Sequence, residues 1–368
     1  MFHVKYLMIS KVSNGAAVQE ATHAVQSLVC RQQEGLMFKR LVAATIVSAL
    51  ASATAAQAQE RDVKFTLDFI SLGRHAPWYV ALGKGYYKDE GLNVTILPSK
   101  GTADAIRAVA TGTSEFGFID IPSLVAAGSA ASNVKIVAAN YQKPPYCIFS
   151  LNPGANIDTP KKMLNIELGS STASFVPKIW AAFMEMNGVD SKTMKVVNID
   201  GAARVPMLAT GKVPAIDLFI MSEPAIRRAV SDAKPVCLFA GDFGLEIYAN
   251  SIGVNEGFLK KDPEVVKKFV RAALRGWKDT FANPEEAAKI QLQYVKALDP
   301  KIVVDEIEIL RRVALSPDVA QHGFGYVSTA RMKNTVDFIN KNIDVAGERL
   351  TAEQIYVPSF LPEKPILP

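Results

Sequence analysis

The sequence predicts an α/β protein of two lobes, joined by two crossing segments with a ligand cleft between them. Three observations lead there. Between Phe65 and Leu97 stand a strand-like run (Phe65 to Ile70), a polar turn, a helix-spaced segment (Trp78, Ala81, Leu82, Gly85, Tyr86), a Gly91 stop and a second strand-like run, Leu92 to Leu97. This is a βαβ unit, whose right-handed crossover sets its two strands parallel in one sheet. Strand-like and helical runs then keep alternating to about Ile220, the pattern of sheets covered by helices. Finally, Ala110-Thr111-Gly112 and Ala209-Thr210-Gly211 each stand between a helical run and a strand-like one, so both halves share one helix, stop and strand plan.

Not all 368 residues belong to that fold. Met37 opens a stretch with Lys39 and Arg40, an apolar run from Leu41 to Leu50, and small residues ending at Ala56-Gln57-Ala58. These are the parts of a cleaved secretory signal peptide, residues 37–58, and they imply a periplasmic protein. Residues 1–36 then read as an extension from a start codon placed too early. The cysteines beyond the cleavage site are Cys147 and Cys237. An oxidising compartment permits a bridge between them, but two buried thiols are the default expectation. More than half of the net charge of +5 lies in the leader. With no basic run interleaved with aromatics, nucleic acid is not an expected partner.

After Leu97, a glycine loop and Thr102 open a helix whose Ile106, Val109 and Ala110 share a face, and Gly112 ends it. Strands follow at Glu115 to Ile119 and Val134 to Ala139. Lys143-Pro144-Pro145 breaks any helix and marks the first crossing, which leads into a strand from Tyr146 to Leu151. The second lobe repeats the plan, with strands at Ile166 to Leu168, Lys195 to Ile199 and Ala215 to Ile220 and helices after Phe175 and Ala202. The strand-like segment Asp242 to Asn255 is the return crossing. Lobe 1 is therefore expected at 59–143 and 252–368, and lobe 2 at 144–251. Asp262-Pro263 and Asn283-Pro284 start two helices, because proline at the first helical position wastes no hydrogen bond. A third runs from Val303 to Leu315, and the proline-rich tail from Tyr356 drapes over a lobe.

No catalytic constellation stands out. His75 and His322, the histidines beyond the leader, have no second ligand at metal spacing, so no metal site is expected. There is no P-loop, nucleophile elbow or paired CxxC. Ser231 to Lys234 matches S-x-x-K without any companion motif. Binding has more to use, since strand-end loops and helix N-termini line the cleft of a two-lobed α/β protein. His75 could donate to or stack on a ligand, or cap the following helix. Arg74 could pair with an acidic group or be a solvated charge, and Trp78 stacks on a flat ligand or belongs to the core. Asp120 and Ser123 stand at a strand-to-helix turn, with Ser171 and Thr172 at its counterpart in the second lobe; each either caps a helix or binds. Glu223 accepts from a ligand amino group or caps a helix. Tyr141 and Tyr248 flank the two crossings, where hinge packing competes with stacking.

The runs GRHAPWYVA (73–81), KGYYKDEGLNV (84–94), ATGTSEFGFID (110–120), MSEPAIRRA (221–229) and the stretch from Asp242 to Trp277 resemble the solute-binding proteins of ABC importers in the nitrate/sulfonate/taurine and thiamine-pyrimidine (THI5-like) superfamily. The resemblance implies a type II periplasmic-binding fold. It also implies a monomeric receptor without a cofactor that passes a small molecule to an ABC permease and ATPase in the inner membrane. Family ligands are nitrate, alkanesulfonates, taurine and formylated aminopyrimidines. The family's pyrimidine synthases carry a cysteine cluster and a reactive histidine. The counterpart of that cluster here, Phe243 to Ile252, has no cysteine, which favours binding over synthesis. Trp78, Tyr141 and Tyr248 would suit a flat, pyrimidine-like ring, with a sulfonate or nitrate as the alternative.

Overall fold

The computed structural model describes residues 60–171 and 175–368. The expected extension, the signal peptide and Thr172 lie outside the described residues. Two five-stranded sheets organise the rest. The first contains β1 (Arg61–Thr66), β2 (Leu92–Leu97), β3 (Phe116–Asp120), β4 (Val134–Ala139) and the late strand β10 (Asn250–Asn255). The second contains β5 (Tyr146–Asn152), β6 (Glu167–Ser170), β7 (Lys195–Asn198), β8 (Ala215–Phe219) and β9 (Lys234–Phe239).

Their orders, β2-β1-β3-β10-β4 and β7-β6-β8-β5-β9, follow one plan. In each sheet, three parallel strands lie beside an antiparallel one that arrives directly after the chain has crossed from the other sheet. The crossings run from Asn140 to Pro145 and from Ala240 to Ala249. The repeated Ala-Thr-Gly has a structural reason. Gly112 and Gly211 hold φ of 71° and 69° at the ends of the helices that precede β3 and β8, the left-handed stop that glycine supplies without strain.

The βαβ reading holds for the pair β1 and β2, which run parallel from Arg61↔Leu92 to Thr66↔Leu97. β1 nevertheless ends four residues before the expected Ile70. Leu67 to Ile70 therefore leave the sheet and begin the loop at its carboxyl end. β10, read from sequence as part of the return crossing, is a ladder strand paired on both sides. β9 was not anticipated, because Pro235 breaks its pattern; it is an edge strand, where the missing N–H of proline is tolerated.

Helices α1 (Ala76–Gly83), α2 (Thr102–Ala110), α3 (Val176–Met186), α4 (Arg204–Ala209) and α5 (Glu223–Ala229) connect the strands. Three long helices that start on proline follow, α6 (Pro263–Ala282), α7 (Pro284–Tyr294) and α8 (Pro300–Ala314), and the side chains of Asn283 and Asp299 cap the last two. A further helix, Thr329–Asn342, was not read from the sequence, because its polar composition gives a weak apolar stripe. The tail lies over the first sheet, where Tyr356 bridges to Ile136.

Trp78 anchors α1 to α6. Its ring meets Trp277 at 5.5 Å and Phe118 at 5.1 Å, both edge-on, the orientation that the charge distribution of aromatic rings favours. Gly276 lets the two helices approach this closely, since a Cβ there would sit 2.3 Å from the carbonyl oxygen of Pro77. In the second sheet, Cys147 of β5 and Cys237 of β9 form a disulfide, with Cα atoms 5.7 Å apart.

Candidate functional site

A cavity of about 360 Å³ opens where the strand ends of the two sheets face one another. From the first sheet come Asp68 and Phe69 after β1, the Lys100 to Asp104 loop before and into α2, and Asp120 at the end of β3. The second sheet supplies Ser171 after β6, Asp200 and Gly201 after β7, and Asp217 to Phe219 of β8. Phe175 and Arg204 join them from the starts of α3 and α4, and Arg74 from the turn before α1. The wall is thus built where open α/β sheets hold their ligands.

Asp68 is the organising residue on the first side. Nη1 of Arg74 donates to both of its oxygens, at 3.0 and 2.9 Å, and Nδ2 of Asn250 donates at 2.9 Å. His75 completes the set. Its Nδ1 accepts from the Leu72 N–H at 3.0 Å, so the proton sits on Nε2, which donates to Asp68 at 2.8 Å. Burial, followed by repulsion from Arg74, holds the imidazole down to about 4, so it is neutral at physiological pH. Burial alone would push the Asp68 carboxyl up, but Arg74 and His75 reverse that and leave it lowered. Arg74 is raised in return: burial opposes its charge, and Asp68 outweighs burial. Behind this set, Glu306 of α8 accepts from the Arg74 backbone N–H at 3.0 Å. Burial pushes its carboxyl up to about 7.

A similar pair stands on the other side. Nη1 of Arg204 donates to Oδ1 and to the carbonyl oxygen of Asp217, both at 2.9 Å, and Ser170 donates to Oδ2 at 2.6 Å. Burial raises the Asp217 carboxyl against the pull of Arg204 and Ser170. Asp120 differs from both. It accepts from the Tyr146 hydroxyl at 2.6 Å and from the N–H and hydroxyl of Ser123, none of them a cation, and burial raises its carboxyl. The ring of Phe219 lies 4.9 Å beneath the Arg74 guanidinium, a contact from the second sheet to the first.

Of the residues singled out from sequence, Arg74, Asp120 and Ser171 line this cavity. The others take different places. His75 is fully buried and spends both nitrogens on Leu72 and Asp68, so it positions Asp68 rather than meeting a ligand. Ser123 caps the helix after β3 through Asp120. Glu223 pairs with Arg227 one turn along α5. Trp78 is core. Tyr141 packs against Phe118, Trp277 and Phe219. Tyr248 lies under the Arg331 guanidinium, and its hydroxyl accepts from the Ser328 N–H. Flat rings do face the cavity, but they are Phe69, Phe175 and Phe219. Asp68, Asp217 and Arg204 were also passed over. The sequence carried a signal for the acids, because aspartate interrupts or ends each of the apolar runs 65–70, 116–120 and 215–220, and an unpaired aspartate is rarely buried. Among the described residues no three His, Cys, Asp or Glu side chains gather as a metal-ion site.

Comparison with known proteins agrees with this architecture. The riboflavin-binding protein RibY of Chloroflexus aurantiacus is 28% identical over 327 residues, covering 85% of this chain and 89% of that protein. A formylaminopyrimidine-binding protein of Halalkalibacterium halodurans is 25% identical over 236 residues, covering 62% and 69%. The alkanesulfonate-binding protein SsuA from Xanthomonas axonopodis, bound to MOPS, superposes with a TM-score of 0.63 at 14% identity, covering 82% of this chain and 100% of its own. That likeness shows a type II periplasmic-binding fold. Residues 73–287 match the family described as NMT1/THI5 like, and the chain belongs to that family of solute-binding proteins.

Proposed function

We propose that the protein is the periplasmic receptor of an ABC importer, exported through its N-terminal leader and acting as a monomer. It captures a flat nitrogen heterocycle of the pyrimidine or isoalloxazine kind between its lobes and hands it unaltered to a permease and ATPase. One observation carries the ligand class. Three phenyl rings and three arginines line a single cavity, and each arginine is paired with an aspartate, Arg74 with Asp68, Arg107 with Asp104 and Arg204 with Asp217. Paired charges of this kind offer directional hydrogen bonds without a net field, which suits an uncharged ring better than a bare anion. The riboflavin- and formylaminopyrimidine-binding relatives support the same choice.

Two other readings meet this cavity with different results. Lys100 and Arg107 line the cavity from the first side, and an alkanesulfonate or nitrate would use them. The family's pyrimidine synthases keep a reactive histidine, but here the neutral, enclosed His75 has no nitrogen to spend on a substrate. Thermal unfolding of the purified protein with riboflavin, aminopyrimidines, taurine, MOPS and nitrate separates the readings, since a ligand that binds the native state raises its melting temperature. A heterocycle should give the shift. A shift with taurine or nitrate alone would overturn the ligand class.

A further inference from the structure

We propose that Arg74 and Arg204 form a two-sided reader for a fused heterocycle with acceptor pairs on two of its edges, while Asp120 takes an N–H from the same ring. The inference rests on the receptor reading above and narrows its ligand. Nη1 of each arginine holds its aspartate, Arg74 to Asp68 and Arg204 to Asp217, and the Tyr141 hydroxyl also lies beside the Arg74 guanidinium. The Nε of each is buried and has no hydrogen-bond partner. A buried donor left unpaired is costly, and Arg74 is only 3% exposed. The two side chains that carry these donors line one cavity from opposite sheets, an ordered pair of forks awaiting acceptors.

The free edge of a guanidinium carries parallel N–H groups from Nε and Nη2, and it fits two acceptor atoms side by side. A carboxylate offers such a pair, as does a ring nitrogen beside a carbonyl oxygen. The cavity selects between them. Asp120, whose hydrogen-bond partners include no cation, borders it, and a ligand carboxylate beside it would add repulsion that a neutral ring avoids. Asp120 supplies the other half of the pattern. A carboxylate has about four acceptor sites, and three are taken by Tyr146 and Ser123, which leaves one for a ligand N–H. Two acceptor pairs and an imide N–H on one flat ring describe a fused pyrimidine-dione such as isoalloxazine. A lone aminopyrimidine ring would fill one fork only.

Titration of the full protein with riboflavin, 5-deazariboflavin and N3-methylriboflavin tests this on the unaltered chain. Replacing N5 by carbon breaks one acceptor pair, and methylating N3 removes the donor. Each change should weaken binding at least tenfold. Whichever of Arg74 and Arg204 reads the N5 edge, its lysine variant should lose the 5-deaza penalty while the other lysine variant keeps it. Arg204 is the safer variant, as its side chain is partly exposed. If riboflavin binds and neither analogue nor variant changes its affinity, the paired-fork reader is wrong while the receptor reading stands. If flavins and pyrimidines fail to bind while taurine or nitrate does, the receptor's ligand class falls and the reader falls with it.

Discussion

Glu306 and His75 should pull the stability of this protein in opposite directions as pH changes, and removing one should expose the other. Glu306 is 2% exposed and its carboxyl sits at about 7 instead of 4.5. The unfolded chain ionises this group earlier than the folded one. Its contribution is therefore fully present below about pH 4.5 and is lost as pH rises to about 7. At 1.36 kcal/mol per unit, the difference comes to about 3 kcal/mol. His75, fully buried and held at about 4 instead of 6.5, has the opposite sign. Its contribution, also about 3 kcal/mol, is present above pH 6.5 and is lost as pH falls toward 4. Over pH 4.5 to 6.5 the two slopes offset each other. Glu306→Gln keeps an oxygen for the Arg74 N–H but cannot ionise. Urea unfolding of wild type and variant at half-unit steps from pH 4.5 to 8 should give curves that diverge by about 3 kcal/mol in favour of the variant as pH rises to 7. Parallel curves would refute the argument and place the Glu306 carboxyl in the ordinary range.

Four further outcomes follow from the packing. Phe219→Ala removes a ring that faces the cavity and supports Arg74, and should weaken heterocycle binding about tenfold, as read by titration calorimetry. Trp78→Ala should instead lower unfolding free energy by about 3 to 5 kcal/mol while the folded fraction keeps its affinity, which urea unfolding and titration together would show. At Gly201, a Cβ would lie 2.5 Å from the ring of Phe69 on the opposite wall, so Gly201→Val should drive that ring aside and cut affinity at least tenfold with little change in melting temperature. Reduction of the bridge between Cys147 and Cys237, which closes a separation of 90 residues, should cost about 2 to 5 kcal/mol in the same unfolding assay.

The alternation of strands and helices was legible because each parallel strand is a short apolar run bounded by a stop. The Ala-Thr-Gly echo marked equivalent positions because both glycines must adopt positive φ. What the sequence hid was the exact end of β1. Phe65 to Ile70 is continuous in hydropathy, yet pairing with β2 stops at Thr66, and that boundary decides whether Asp68 and Phe69 sit inside a sheet or at its mouth. Asp217 was concealed likewise within the apolar run of β8. Aromatic rings do line the cavity, but the expectation attached them to Trp78, Tyr141 and Tyr248, the larger rings. Those rings proved more valuable as filling between elements distant in sequence, a use that no local pattern reveals. Loops after strands do line the cavity, with Arg74, Asp120 and Ser171 among them. The partners that hold Asp68 and Arg74 in place, Asn250 and Glu306, come from the far end of the chain.

The most direct measurement is equilibrium dialysis of the purified protein against an equimolar mixture of riboflavin, aminopyrimidines, taurine, alkanesulfonates and nitrate, with bound and free pools read by mass spectrometry. The account predicts that one flat heterocycle is retained, one per chain and with its mass unchanged. Retention of a sulfonate or nitrate in its place, or recovery of the heterocycle with altered mass, would contradict it.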